Sequence, residues 1–286
     1  MAEKPLALSK REALGGQLKA EALGAQLKAE ALGAQLSQAF LFKPSSTDPL
    51  AIPLAVPIFY EAPPSRYAVG SPRRGGVPVL FPQFATHGVF GKHGFVRQMP
   101  WQVLQPEVQA NELAWQATLQ ATPASVKPYN EYETWLHTAV LSLAVQQTAA
   151  TLKVNLKVTN TGSTEFSFTG GLHPYFLWSE GNCTIQSEDC SVRRVVEQSA
   201  LGGAVVEELL GNADVMQIIM ADRLLTLRKF GFREWMLWNP GPAHGLIDIE
   251  PNDWQQFICL EPVTVSKPHV LIPGETFTGG FELALA

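Results

Sequence analysis

Cysteine is scarce in this chain of 286 residues, charge is thin, and no long apolar run interrupts it. The three cysteines, Cys183, Cys190 and Cys259, cannot all pair within one chain and stand in no CxxC or other metal-ligand spacing. That pattern suits a reducing cytoplasm and gives no reason to expect a metal. Charged residues make up only 16%, with a net charge of -5 and no long basic run. The counterion release that drives nucleic-acid binding therefore has no source, and nucleic acid is not expected as a partner. The N-terminus lacks the apolar core of a signal peptide, and Leu50 to Tyr60 is too short and too broken by proline to span a bilayer. A cytoplasmic protein without a membrane partner is the expectation. Also missing are a glycine-rich phosphate loop between strand and helix, an HExxH helix and a GxSxG elbow. Their absence removes the usual supports for nucleotide, zinc-protease and hydrolase chemistry.

What is present is enough apolar material, 46% of the chain, to bury a substantial core. The first 43 residues carry a nine-residue repeat, KREALGGQL, KAEALGAQL and KAEALGAQL, running from Lys10 to Leu36. At about 100° per residue, nine residues make roughly two and a half helical turns, so successive leucines face opposite ways and no single apolar stripe forms. Alanine, leucine, lysine, glutamate and glutamine favour helix, while each glycine costs about 1 kcal/mol there. Residues 1–43 are accordingly expected to be a helical or disordered extension outside the catalytic domain, residues 44–286; an oligomerisation or docking arm is the alternative.

Pro44 to Pro72 reads as an irregular lead-in with room for an edge strand. From Trp101 onward, short β-type segments recur between turns: Leu113 to Leu119, Thr138 to Val145, Leu152 to Val158, Glu165 to Thr169, Leu224 to Arg228, Trp235 to Trp238, Phe257 to Glu261 and Phe281 to Leu285. Leu152, Val154, Leu156 and Val158 alternate with polar residues, the mark of a half-buried strand. Many short strands without long helices imply an all-β, multi-sheet sandwich.

The polar residues set in apolar or glycine-rich surroundings are the candidates for chemistry. Glu261 ends the run Phe257 to Leu260 and precedes a proline. Burial would raise its pKa and suit a general base; a carboxylate that caps a turn or pairs with an arginine is the equal alternative. His173 lies between Gly170-Gly171-Leu172 and Pro174-Tyr175-Phe176, where a lone histidine is more often a hydrogen-bonded core residue than an acid or base. Arg74 precedes two glycines that let a ligand approach the backbone, and Arg97 follows His93 by four residues. Two arginines at a cleft could grip an oxyanion bidentately, or each could form a surface ion pair.

Five ordered segments tie these residues together. Arg74 to Phe84, RGGVPVLFPQF, is followed by His93-Gly94-Phe95-Val96-Arg97 and Trp101; then come Leu172-His173-Pro174-Tyr175-Phe176, Trp238-Asn239-Pro240, Cys259-Leu260-Glu261-Pro262 and Leu271-Ile272-Pro273-Gly274-Glu275. The first resembles the signature of the hexose-6-phosphate mutarotases, or glucose-6-phosphate 1-epimerases. The later segments resemble that family's LHTYF, WNP, CVEP and LxPGE stretches. The resemblance spans roughly residues 50 to 286 and leaves the repeats outside. It implies a galactose-mutarotase-like β-sandwich, a supersandwich, with His173 as general acid, Glu261 as general base, and Arg74 and Arg97 on a 6-phosphate. Asp214 would be the sugar-binding aspartate, with Asp222 as stand-in, and His93 would line the cleft. The family's Asp-Arg-Val-Tyr is Asp214-Val215-Met216-Gln217 here, and Lys92 stands where glutamine is common, adding a charge. The implied partner is a hexose phosphate and no cofactor is called for. Oligomeric state is not readable. Two further functions stay open: an aldose 1-epimerase acting on unphosphorylated sugars, and a sugar-phosphate-binding protein that lost turnover.

Overall fold

The structure, a computed structural model, describes residues 12–14, 17–22, 25–43, 54–66, 73–109, 112–198 and 204–286. Alternation of apolar and polar residues decides most of it. In the strand Thr151–Asn160, Leu152, Val154, Leu156 and Val158 are all buried, and Leu156 and Val154 sit opposite Leu143 and Val145 of Ala139–Gln147. Such opposed apolar pairs on one face are what hold a sheet in register. Among the described residues these strands belong to a ten-stranded antiparallel sheet, ordered Arg193–Glu197, Asn182–Ser187, Val215–Ile219, Leu224–Phe230, Thr276–Leu285, Thr151–Asn160, Ala139–Gln147 and Glu112–Ala121, with Gln102–Val103 and Glu107–Gln109 both on the last. The Asn160-Thr161-Gly162 turn closes through a hydrogen bond from the Gly162 amide to Oδ1 of Asn160 at 3.0 Å.

A second sheet positions the site. Its order is Val206–Leu210, Glu234–Asn239, Phe257–Leu271, Phe166–Leu172 and Val79–Leu80, with Tyr175–Leu177 also paired to Phe257–Leu271. The first eight residues of Phe257–Leu271 are all buried. Both faces of that strand are covered, which is why its sequence opens as a continuous apolar run and not as an alternation.

The N-terminal repeats differ from the helical or disordered extension expected of them. Glu12–Leu14, Gln17–Ala22, Ala25–Glu30 and Leu36–Phe42 are strands of a five-stranded antiparallel sheet whose far edge is Ala55–Pro57. Gln17–Ala22 and Ala25–Glu30 each straddle a junction between repeats, and successive copies run back along each other, Gln17 opposite Glu30 and Leu18 opposite Ala29. Leu27, Leu36 and Leu41 are fully buried and share a core cluster with Trp115, Val154, Phe176 and Leu260 from the other two sheets. Helix propensity lost here because pairing between copies and burial together outweigh a per-residue preference well under 1 kcal/mol. The lead-in Pro44 to Pro72 lies partly outside the described residues; within it Ala55–Pro57 is the edge strand anticipated. No helix among the described residues is long and apolar enough to cross a membrane.

Candidate active site

His173 leaves the end of Phe166–Leu172, and Glu261 sits within the adjacent Phe257–Leu271. The two strands approach closely at Gly171, which pairs with Val263. A Cβ at Gly171 would lie 2.5 Å from the Pro262 carbonyl oxygen, so only glycine permits the contact. The His173 amide then donates to the Pro78 carbonyl at 2.9 Å, and its ring stacks on Tyr175 with centroids 4.6 Å apart and meets Trp238 edge-on at 5.5 Å. Held this way, Nε2 of His173 lies 3.3 Å from Oε1 of Glu261.

Both side chains are almost wholly withdrawn from solvent, at 4% and 1% exposure. Burial pushes the Glu261 carboxyl well above the usual carboxylate range; Glu207 pushes the same way and Lys92 opposes it. Burial likewise pushes His173 well below the ordinary histidine value, helped by the charges of Arg74, Arg97 and Lys92. Each member therefore favours its neutral form, with one proton between them. Nδ1 of His173 and Oε2 of Glu261 are buried without a hydrogen-bond partner. An acid and a base with unsatisfied atoms at a cleft are equipped to move protons on a ligand.

The cleft is small, about 50 Å³, and is lined by Arg74, Phe84, Ala85, Lys92, His93, His173, Glu207, Met236, Trp238 and Glu261. A larger depression, about 390 Å³, lies on the ten-stranded sheet between Gln146, Thr151, Lys153, Thr226, Arg228 and Glu282. None of the motif residues lines it, and it offers no acid and base pair of perturbed pKa.

Arg74 is held on two sides. Nε and Nη2 donate to Oδ2 of Asp248 at 3.0 and 2.8 Å, and Nη1 donates to the Tyr175 hydroxyl at 3.0 Å. Burial works against its charge, but Tyr175 and Asp248 more than offset it and hold the guanidinium above its usual pKa. Arg97 does not line the cleft, but its charge reaches both Arg74 and His173. Its Nη2 donates to the Lys92 carbonyl at 2.9 Å, its Nε is buried and unbonded, and among the described residues no carboxylate is within ion-pair distance. Burial and the neighbouring Arg74 pull it down to about 10. The two glycines after Arg74 do not open the backbone to a ligand: a Cβ at Gly75 would strike the Tyr60 carbonyl and one at Gly76 the Leu36 carbonyl. They let the Arg74 loop pack directly on the N-terminal sheet.

His93 adopts φ +67°, unusual for a non-glycine residue. Its Nδ1 accepts from the Ala85 amide at 3.1 Å, so the neutral ring carries its proton on Nε2. Burial, reinforced by Arg97, His173, Lys92 and Arg74, pushes its pKa far down. His93 is thus a fixed neutral donor, with its ring edge-on to His173 at 5.6 Å.

Asp214 does not join the site. It is 78% exposed, its Oδ1 lies 3.6 Å from the buried Lys229 ammonium, and it lines a depression with Ser187, Asp189 and Arg228. It offsets part of the burial cost of that lysine, whose ammonium also donates to the Asn212 carbonyl at 3.0 Å. Asp222 is also elsewhere, paired with Arg223 at 2.6 Å. The acidic residue that joins Glu261 in the cleft is Glu207, on Val206–Leu210 and opposite Trp238. Its segment, VVEELL, carries no motif and no apolar–polar alternation.

Comparison with known proteins agrees with this fold. The family model described as aldose 1-epimerase matches residues 59–284. A Cenchrus ciliaris protein named "Putative glucose-6-phosphate 1-epimerase" is 29% identical over 236 residues, covering 74% of this chain and 70% of its own. One of the same name from Salmonella typhimurium is 24% identical over 219 residues, covering 71% of each. The fold superposes on a crystal structure of a Salmonella typhimurium mutarotase-named protein with TM-score 0.75, 19% identity and coverage of 99% of this chain and 96% of that one. A galactose mutarotase-like protein from Lactobacillus casei gives TM-score 0.67 at 15% identity, covering 95% and 100%. With the family model matching most of its length, the chain belongs to the aldose 1-epimerase family.

Proposed function

We propose that the protein is a hexose-6-phosphate mutarotase, interconverting the α and β anomers of glucose 6-phosphate or a close relative. The observation that carries the substrate choice is the arginine pair. Arg74 stands close enough to Arg97 to lower its proton affinity, and of the two only Arg74 has a carboxylate partner. A partly buried cation without a counter-charge is costly, and a phosphate dianion would remove that cost. The printed names of the plant and bacterial relatives point to the same substrate.

The phosphate also prepares the proton transfers. Arg74 and Arg97 help to keep His173 neutral, so neutralising them lets His173 take the proton that burial otherwise leaves on Glu261. The Glu261 carboxylate then removes the proton from the anomeric O1 hydroxyl. The C1–O5 bond breaks to give the C1 aldehyde, and O5 takes the His173 proton. After rotation about C1–C2, the O5 hydroxyl adds to the other face of the carbonyl, returning its proton to His173 while O1 recovers one from Glu261. Each well-placed acid or base contributes about 10²–10⁴-fold. His93, as a neutral donor, and Glu207, as an acceptor, hold the sugar's hydroxyls.

Turnover of free aldoses is the second reading, favoured by one observation: the Nε and Nη2 edge of Arg74 is already taken by Asp248. Mutarotation of glucose 6-phosphate and of glucose, each followed from the pure α anomer, separates the two. A kcat/KM at least about tenfold higher for the phosphate supports the proposal; equal values favour the free sugar.

A further inference from the structure

Cys259 is a buried nucleophile that the proposed proton transfers leave unused. It lies two residues before Glu261 on one strand, so both side chains leave the same face. Its sulfur, one ring nitrogen of His173 and one carboxylate oxygen of Glu261 all lie within 4.8 Å of one another. The geometry points to a site for a borderline-soft divalent cation, zinc above all, built from His173, Cys259 and Glu261, whose occupation inhibits the enzyme.

Four features support it. A tetrahedral zinc with bonds of about 2.0 Å to nitrogen or oxygen and 2.3 Å to sulfur spaces its donors roughly 3.3 to 3.6 Å apart. The observed 3.3 Å between Nε2 and Oε1 already has that spacing, and the sulfur need close by only about 1 Å. Oε2 of Glu261 is buried without a partner, so the carboxylate has coordination capacity that the protein leaves unsatisfied. A thiolate and a carboxylate together cancel the charge of the ion, and the nearby Arg74 is offset by Asp248. Finally, His173 and Glu261 line the cleft, which supplies an entry path and an open fourth position. Three protein ligands with one exchangeable position is the arrangement of accessible zinc sites. Sulfur among the donors disfavours magnesium and calcium. An ion there occupies the atoms that must pick up and release protons, so it competes with the sugar.

Cobalt(II) serves as the direct probe, because a thiolate on cobalt gives a near-ultraviolet charge-transfer band whether or not the protein is catalytic. The titration uses Cys190→Ser protein, which removes the exposed thiol, in chelator-free buffer. The band is expected there and is lost on adding Cys259→Ser. In parallel, zinc should inhibit mutarotation reversibly, with EDTA restoring the rate. Cys259→Ser should keep turnover in metal-free buffer while needing at least about tenfold more zinc for half inhibition, the least that loss of a supporting residue costs a metal site. Cys259→Ala, checked by its thermal transition, repeats the test if serine is not accepted in the core. No band in Cys190→Ser, a band that survives loss of Cys259, or equal zinc sensitivity with and without Cys259 overturns the site. A band without any mutarotase activity would instead count against the proposed function and leave the metal site standing.

Discussion

Nε2 of His173 and Oε1 of Glu261 are 3.3 Å apart, in surroundings that push the histidine's pKa down and the carboxyl's up. Such a pair exchanges one proton at little cost, which is what a reaction that takes a proton at O1 and returns one at O5 requires.

Glu261→Gln keeps the shape of the side chain and removes its ability to accept a proton. It should lower kcat by about 10²–10⁴-fold with little change in KM, and His173→Gln should do the same. Polarimetry on the pure α anomer of glucose 6-phosphate checks both. Unchanged turnover in Glu261→Gln would sink the mechanism.

Arg74→Ala and Arg97→Ala should both raise KM for the phosphorylated sugar, by about 10- to 100-fold if each loses a charge-assisted hydrogen bond worth about 1.5–3 kcal/mol. Their stabilities should diverge. Arg74→Ala strands Asp248 and the Tyr175 hydroxyl and should melt earlier, whereas Arg97→Ala removes a cation with no carboxylate partner and should melt no earlier than the parent. Parallel melting losses in the two variants would contradict the unequal pairing.

His93 gives a pH dependence with a defined sign. Its folded pKa is depressed far below 6.5, so unfolding takes up a proton wherever the pH is below that value. The stability it contributes is complete above about 6.5 and falls as the pH drops, by up to about 1.4 kcal/mol per pH unit. His93→Asn tolerates the positive φ and cannot titrate. Denaturant midpoints measured down the acid limb should fall less steeply in that variant; an identical slope would show that His93 is charged in the folded state.

Glu207→Gln and Asp214→Ala separate the acidic residue in the cleft from the one outside it. Weakening one hydrogen bond to a sugar hydroxyl costs about 0.5–1.5 kcal/mol, so Glu207→Gln should raise KM about 2- to 10-fold. Asp214→Ala should leave KM alone and lower stability slightly, because it takes the counter-charge from Lys229. The reverse result would place Asp214 on the substrate.

Legibility followed the range of the interactions. The strand Thr151–Asn160 was readable because its two-residue period is written locally, and the run before Glu261 because a strand covered on both faces reads as continuous apolar sequence. His173 and Glu261 as individual residues had unremarkable alternatives, since what makes them a pair is the distant contact of Gly171 with Val263 and of Tyr175 with Cys259. Glu207 carries no motif and enters the cleft only because Val206–Leu210 pairs with Glu234–Asn239. The repeats misled for a related reason: helix propensity is a property of single residues, whereas their strands depend on neighbouring copies and on Leu27, Leu36 and Leu41 reaching a shared core.

That shared core makes the N-terminal sheet part of the machinery. The Leu36 carbonyl accepts from the Val77 amide at 2.8 Å, the Tyr60 carbonyl accepts from the Gly76 amide at 2.8 Å, and Gln38 bonds the Phe59 backbone through both ends of its amide. The segment carrying Arg74 thus rests on the repeats' last strand. Leu36→Ala should cost about 2–5 kcal/mol, the range for emptying a buried leucine site, read from denaturant midpoints. Because the cavity lies beneath the Arg74 segment, KM for the sugar phosphate should rise in the folded fraction while kcat, set by His173 and Glu261 on the other sheet, holds. A variant as stable as the parent would mean that the repeats are the detachable extension their composition suggests.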